Sequence, residues 1–152
     1  LTQELDARDT PVVLVLFGDH KPWMGNGGSV YEEMGIDFDT STLAGFRNYY
    51  ATPYLIWANR AAKEVLGADF TGDGGDFSPC FLMTRLFDAC GWAGPGYMQL
   101  SRAMRDISPL LHTNGLFLHD GVLTSVLSDT DRSFYRSWLA VQYYREHVAA
   151  YS

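Results

Sequence analysis

Asp19 and His20 stand side by side directly after the run Val12-Val13-Leu14-Val15-Leu16-Phe17-Gly18. A carboxylate oxygen and an imidazole nitrogen together suit Zn²⁺, Mn²⁺ or a related divalent cation. Adjacent residues of a regular strand point to opposite faces. The pair can therefore share one ion only where the strand has ended, which Gly18 permits by freeing the backbone to turn. Two ligands do not close a metal site, so the others must come from elsewhere. The competing reading is a hydrogen-bonded pair that orders the next turn. Lys21 follows at once, and reads either as a point charge for a phosphate or as a solvated lysine beside a turn.

The elements that must position this pair follow from the apolar pattern. An unbroken apolar run over residues 12–17, rich in β-branched side chains, predicts a strand buried on both faces, as in a parallel sheet. Open α/β sheets place ligand sites just beyond the carboxyl ends of such strands. A second strand is expected over 52–59, with Pro53 at its start, where proline is tolerated. Residues 2–8 read as a short helical tail and 21–29 as a turn-rich loop holding Gly25-Asn26-Gly27-Gly28. A brief helix over 30–34 closes at Gly35, 36–42 is loop, and 43–50 is amphipathic but ambiguous. Residues 60–66 form a short helix or an irregular arm, and 67–77 a Gly- and Asp-rich loop.

Further on, Ser78-Pro79 reads as an N-cap followed by proline in the first helical turn. The following segment, 80–90, is apolar almost all round, which predicts a buried helix stopped by Gly91. Tyr97, Leu100, Met104 and Ile107 make a helical stripe. Asp120-Gly121 is a hairpin signal between two short strands within 116–127. Asp129 and Asp131 mark the start of a last helix, with Phe134, Trp138, Val141, Arg145 and Val148 along one side. Strand, helix, strand, helix is an α/β order. Two strong strands are few for a free-standing sheet, which implies neighbouring strands from elsewhere. The chain starts with Leu, and 2–8 resembles the end of a helix already under way, so a piece of a longer protein is expected.

Several weaker candidates read as structural. The loop Asp69-Phe70-Thr71-Gly72-Asp73-Gly74 echoes the first half of a calcium-binding EF-hand loop, but Cys80 stands where a bidentate Glu is needed. The glycine cluster at 25–28 lacks the Gly-Lys-Ser/Thr of a phosphate-cradling loop. His112, His119 and His147 have no partners at ligand spacing. Tyr143 and Tyr144 read as packing. Cys80 and Cys90 share one predicted helix and stand ~15 Å apart along its axis at 1.5 Å per residue, beyond the reach of a disulfide. Both are expected to be buried free thiols.

Composition sets the outer bounds. With 152 residues, 47% hydrophobic and 14% aromatic, the chain is long enough for a folded domain with a real core and is not a disordered one. A net charge of −7 disfavours nucleic acid and anionic membranes as partners of the general surface. An anionic substrate stays compatible, because a bound cation dominates its own neighbourhood. No apolar run approaches the ~20 residues of a membrane-spanning helix, and no signal peptide is visible.

Three segments carry a resemblance to a known family. Phe17-Gly18-Asp19-His20-Lys21-Pro22, then Tyr50-Ala51-Thr52-Pro53-Tyr54-Leu55-Ile56-Trp57-Ala58-Asn59, then Ser78-Pro79-Cys80-Phe81-Leu82 together resemble the carboxyl-terminal part of a bacterial sulfatase-like protein of the lipoteichoic acid synthase family, within the alkaline phosphatase superfamily. The likeness covers most of the chain, and the order of elements follows to the final helix.

The resemblance implies that residues 1–152 are the carboxyl-terminal part of an α/β/α catalytic domain, with a small mixed sheet flanked by helices. Asp19 and His20 match the positions that supply two ligands to a catalytic divalent cation, usually Mn²⁺, with Mg²⁺ or Zn²⁺ as alternatives. A threonine nucleophile and a further acidic ligand belong to an upstream half, and this chain holds neither motif. It is therefore expected to show no turnover by itself. Family members that act as transferases attack phosphatidylglycerol, form a phosphoglycerol-threonine intermediate and pass the group to a polymer or glycan of the cell envelope. The implied setting is the cell membrane, through upstream helices, with the catalytic domain outside. The segment after His20 varies in the family, and Lys21 is the candidate substrate contact, while Trp23 lines the pocket or packs on the domain. Other readings are a sulfatase, a phosphodiesterase or a phosphoethanolamine transferase of the same superfamily. A non-catalytic binding or assembly module is the reading from another class.

Overall fold

The structure, a computed structural model, describes residues 1–148. The domain expected over 1–152 includes residues 149–152, which lie outside the described residues. The chain is a mixed α/β protein with two small antiparallel sheets, and it divides into two compact units, Leu1–Asp73 and Gly74–Ser152.

In the first unit, α1 (Thr2–Asp6) leads to β1 (Val13–Phe17), α2 (Ser29–Glu33), α3 (Leu43–Tyr50), β2 (Tyr54–Ala58) and α4 (Arg60–Leu66). The expected strands form, but β1 pairs antiparallel with β2, Val13 opposite Ala58 and Phe17 opposite Tyr54. Among the described residues, the expected parallel, doubly covered strand is thus not found, nor is a mixed sheet. Leu16 is 48% exposed, its cross-strand partner Leu55 49%, and Phe17 60%. The apolar run encodes a strand, but it carries no information on which segment pairs with it or covers it. The ambiguous segment 43–50 is helical. Thr42 caps it by accepting from the Gly45 N–H at 3.0 Å, the ordinary role of a threonine at that position. Gly45 is required there: a Cβ would overlap the backbone of Asp39, which presses on the helix. The arm over 60–66 is also a helix, begun by the Asn59 side chain and ended by Gly67 in the left-handed region.

The second unit holds α5 (Leu82–Ala89), α6 (Gly96–Ile107), β3 (Phe117–His119), β4 (Val122–Thr124) and α7 (Asp129–His147). Its core is Phe81, Met104 and Trp138, with Leu100, Ile107 and Phe134 against them. The stripe read from the sequence supplies three of these residues on α6. Two expectations fail around α5. That helix is not buried all round, since Met83 is exposed and only Thr84 within it is fully buried. Arg85 and Asp88 interrupt the apolar run, and the helix meets solvent at Met83. Cys90 is buried as expected, but Cys80 is exposed, because it stands in the 3-10 turn Pro79–Phe81 ahead of the helix. Ser78 precedes that turn without capping it. Its hydroxyl instead accepts from the Leu111 N–H at 2.8 Å and donates to the Leu111 carbonyl at 3.1 Å. The hairpin forms at Asp120-Gly121, both at positive φ (49° and 78°), the signature of a type I′ turn.

Candidate metal centre

The end of β1 is held for one residue beyond the strand. The Gly18 N–H donates to the Pro53 carbonyl at 3.0 Å, and the Thr52 hydroxyl donates to the Gly18 carbonyl at 2.6 Å. Glycine is needed here for close approach rather than for an unusual turn. Gly18 is not at positive φ, and a Cβ on it would stand 3.0 Å from Thr52 Cβ. The chain leaves the sheet immediately after this clamp, which brings Asp19 and His20 to the same side.

Both side chains are exposed, and each is fixed by a local bond. Asp19 Oδ1 accepts from the His20 backbone N–H at 2.8 Å. His20 Nδ1 lies 3.0 Å from the Lys21 carbonyl. A carbonyl only accepts, so that nitrogen carries the proton. In the neutral ring, Nε2 then presents its lone pair, and it stands 3.6 Å from Asp19 Oδ2. Two donors ~2.1 Å from one ion at the tetrahedral angle are about 3.4 Å apart. The observed separation is close to that value, so a small side-chain adjustment lets the pair present two donors to one divalent cation, and a backbone carbonyl behind the imidazole is one of the outer partners metal-ligating histidines use.

Lys21 bridges to other elements. Its ammonium donates to the carbonyl of Asn48 in the last turn of α3 and lies 6.0 Å from the centre of the Phe38 ring. Asn48 is itself tied by its Nδ2 to the Asp37 carbonyl at 2.9 Å. Asp39, in the same loop, accepts from the Ser41 hydroxyl and N–H, bonds that hold its carboxyl below the usual range. Asp19, His20 and Lys21 line one end of a cavity of about 390 Å³ whose remaining wall is Pro22, Trp23, Tyr31, Phe38, Tyr49 and Tyr50. The rings brace one another: Tyr31 packs on Phe38 at 4.9 Å, Phe38 edge-on to Tyr49 at 5.5 Å, and Trp23 edge-on to Tyr49 at 6.1 Å. The Tyr31 hydroxyl donates to the Pro22 carbonyl at 2.5 Å.

Sequence reasoning singled out the pair, Lys21 and, as one of two readings, Trp23, but missed the rest of the aromatic wall. Phe38 and Tyr49 stand eleven positions apart across a loop, where no periodicity marks them as neighbours. The other candidates take structural roles. Asp69 accepts from the Thr71 N–H at 3.1 Å, a local turn. The His119 and His147 rings face the Ile107 and Tyr143 carbonyls at 3.1 Å each, and His112 Nδ1 accepts from the Asn114 N–H at 3.3 Å. Among the described residues, no three His, Cys, Asp or Glu side chains are grouped to hold a metal ion, so the arrangement at 19–20 is a two-donor one. No described helix is long and apolar enough to cross a membrane.

Fold and site together define a mixed α/β protein with an acid–imidazole pair at the mouth of an aromatic cavity. No protein-family model, curated protein or solved structure matches the chain.

Proposed function

We propose that this chain is the carboxyl-terminal part of a metal-dependent phosphoglycerol transferase of the lipoteichoic acid synthase type, built on an alkaline phosphatase-like α/β/α domain. The observation that supports it most is the 3.6 Å approach of Asp19 Oδ2 to His20 Nε2, with Nδ1 turned to a backbone carbonyl. Two acceptor atoms at that separation are favourable only with a proton or a cation between them. A proton there makes an imidazolium–carboxylate pair that orders the loop, and a cation makes a shared site; the 3.6 Å spacing is the feature the metal reading uses.

In this reading Asp19 and His20 hold a divalent cation, Mn²⁺ foremost, and polypeptide outside these residues contributes the threonine nucleophile and a further acidic ligand. When bound, the ion supplies charge stabilisation for the nucleophile's alkoxide and for the phosphoryl oxygens. Lys21 keeps two ammonium protons after its bond to Asn48 and lines the same cavity, where they suit a phosphate oxygen. The aromatic wall gives the organic part of the ester an apolar surface. The sheet is compatible with a larger domain: Leu16 and Leu55 leave apolar surface exposed on one face, and Phe17 is exposed at the end of its strand. Apolar surface of this kind suits cover by further polypeptide. The substrate is then a phosphatidylglycerol-type lipid, met at the outer side of a cell membrane through upstream helices.

The test is substoichiometric Mn²⁺ added to the isotope-labelled chain. Paramagnetic broadening centred on residues 18–22, lost in Asp19→Ala and in His20→Ala, is expected. Broadening that ignores both substitutions overturns the reading. In the protein carrying both halves, the same substitutions are expected to abolish phosphoglycerol transfer with the fold intact.

A further inference from the structure

We propose that Lys21 is a positioning residue for the cation-binding pair, acting through its own backbone; this rests on the metal reading of Asp19 and His20. Lys21 is gripped at both ends. Its ammonium is bonded to the Asn48 carbonyl of α3, and its carbonyl holds His20 Nδ1 at 3.0 Å. The last four carbonyls of a helix have no intrahelical donor, and a cation is favoured there by the helix dipole. Asn48 is one of these, since α3 ends at Tyr50, so Lys21 caps the helix from outside.

The rest of the lysine is not a free surface arm. It is half-buried and has Phe38 beneath its ammonium, while Asn48 is pinned to Asp37. The position of residue 21 is therefore set by α3 and the 36–42 loop. Its carbonyl in turn decides which imidazole nitrogen carries the proton and which faces Asp19 Oδ2. The line of bonds runs from α3 through Asn48 and Lys21 to His20, and it ends at the nitrogen offered to the ion. A phosphate contact by the same ammonium acts only when substrate is bound; this role acts without substrate.

The experiment compares the wild-type chain with Lys21→Met and Lys21→Arg, without substrate and at one fixed alkaline pH. Two readouts are taken: Mn²⁺ affinity from proton relaxation, and the nitrogen chemical shifts of the His20 ring, which report the tautomer. Lys21→Met is expected to weaken Mn²⁺ about tenfold or more, the usual effect of losing an outer partner of a metal ligand, and to mix the two tautomers. Lys21→Arg, which can still donate to Asn48, is expected to restore both. Should Lys21→Met fail to fold, Lys21→Gln, polar but too short to reach α3, makes the same comparison. A Lys21→Met chain that keeps the Nδ1–H tautomer and the wild-type affinity overturns the assignment. If that happens while His20→Ala abolishes Mn²⁺ binding, the positioning role alone has failed. If His20→Ala leaves binding unchanged, the metal reading has failed, and this proposal with it.

Discussion

Asn59 holds Val12 by both of its backbone groups. The Asn59 side-chain Oδ1 accepts from the Val12 N–H at 2.9 Å, and the Asn59 N–H donates to the Val12 carbonyl at 3.0 Å. The same Oδ1 caps α4 through the Ala62 N–H at 2.9 Å. The two amide protons are shared among the carbonyls of Leu5, Arg8 and Thr10 at 3.0–3.2 Å. One fully buried side chain thus joins the end of α1, the entry to β1 and the start of α4, and fixes where the strand that leads to Asp19 begins.

Asn59→Ala is expected to destabilise the first unit by about 3 kcal/mol. It deletes a helix cap worth ~1 kcal/mol and leaves the half-buried Val12 N–H and Leu5 carbonyl without this partner, at ~1–3 kcal/mol together. Asn59→Asp should be worse at neutral pH, because a carboxylate would face three carbonyl oxygens in place of an amide donor. Urea denaturation followed by backbone amide signals of residues 12–17 measures both. A loss under about 1 kcal/mol for either variant would mean that water replaces the amide at little expense.

The sequence was legible where one local signal decides the outcome. The apolar run at 12–17, the stripe on α6 and the Asp120-Gly121 turn each depend on residues close in the chain. It was illegible where the outcome depends on distant partners. Nothing in Val13 or Leu16 says that β2 will pair antiparallel with it, or that Leu16 will stay exposed. Asn59 reads as the last residue of a strand, although an Asn before a helix is a capping signal, and its ties to residues 5–12 are beyond any local pattern. At the site, the residue types at 19–20 were readable, but the grip of Lys21 on α3 was not. A lysine beside a turn carries no mark of the carbonyl it will find 27 positions away.

In the second unit, the buried Trp138 indole N–H donates to the Ser101 hydroxyl at 3.0 Å. Trp138, Phe81 and Met104 form the core cluster. Ser101→Ala changes volume little but leaves a buried donor without an acceptor, so a loss of about 1–3 kcal/mol is expected. Met104→Ala, at a fully buried position, opens a cavity and should cost about 2–5 kcal/mol. The indole proton resonance of Trp138, followed through a urea titration, reads both. For Ser101→Ala it should shift even in the folded state. An unshifted resonance with unchanged stability would mean that the hydroxyl is not the indole's partner in solution.

Asp88 links α5 to α6 through two arginines. Its Oδ1 accepts from Arg102 Nε at 2.6 Å and its Oδ2 from Arg105 Nη2 at 2.7 Å. Arg102 reaches on to the Trp92 carbonyl at 3.2 Å, which fastens the turn after α5. Burial pushes the Asp88 carboxyl up, but the hydrogen bonds and charges of Arg105 and Arg102 outweigh it and hold the group below its usual value. A carboxyl lowered by folding adds stability that is fully present above its unfolded pKa of about 3.9 and disappears as pH falls through the folded value. Asp88→Asn should therefore destabilise the second unit at neutral pH by about 1.5–3 kcal/mol, the range for hydrogen bonds to charged groups. Between neutrality and about pH 5 the gap to wild type should stay constant, because the wild-type carboxyl remains ionised in both states. In stronger acid the gap should close, since protonation removes from the wild type what the substitution removed from the variant. Urea midpoints of the two chains, measured across that range, test this directly. A gap that stays the same into strong acid would show that the arginines stabilise the unit by packing along α5 and not by pairing with the charge of Asp88.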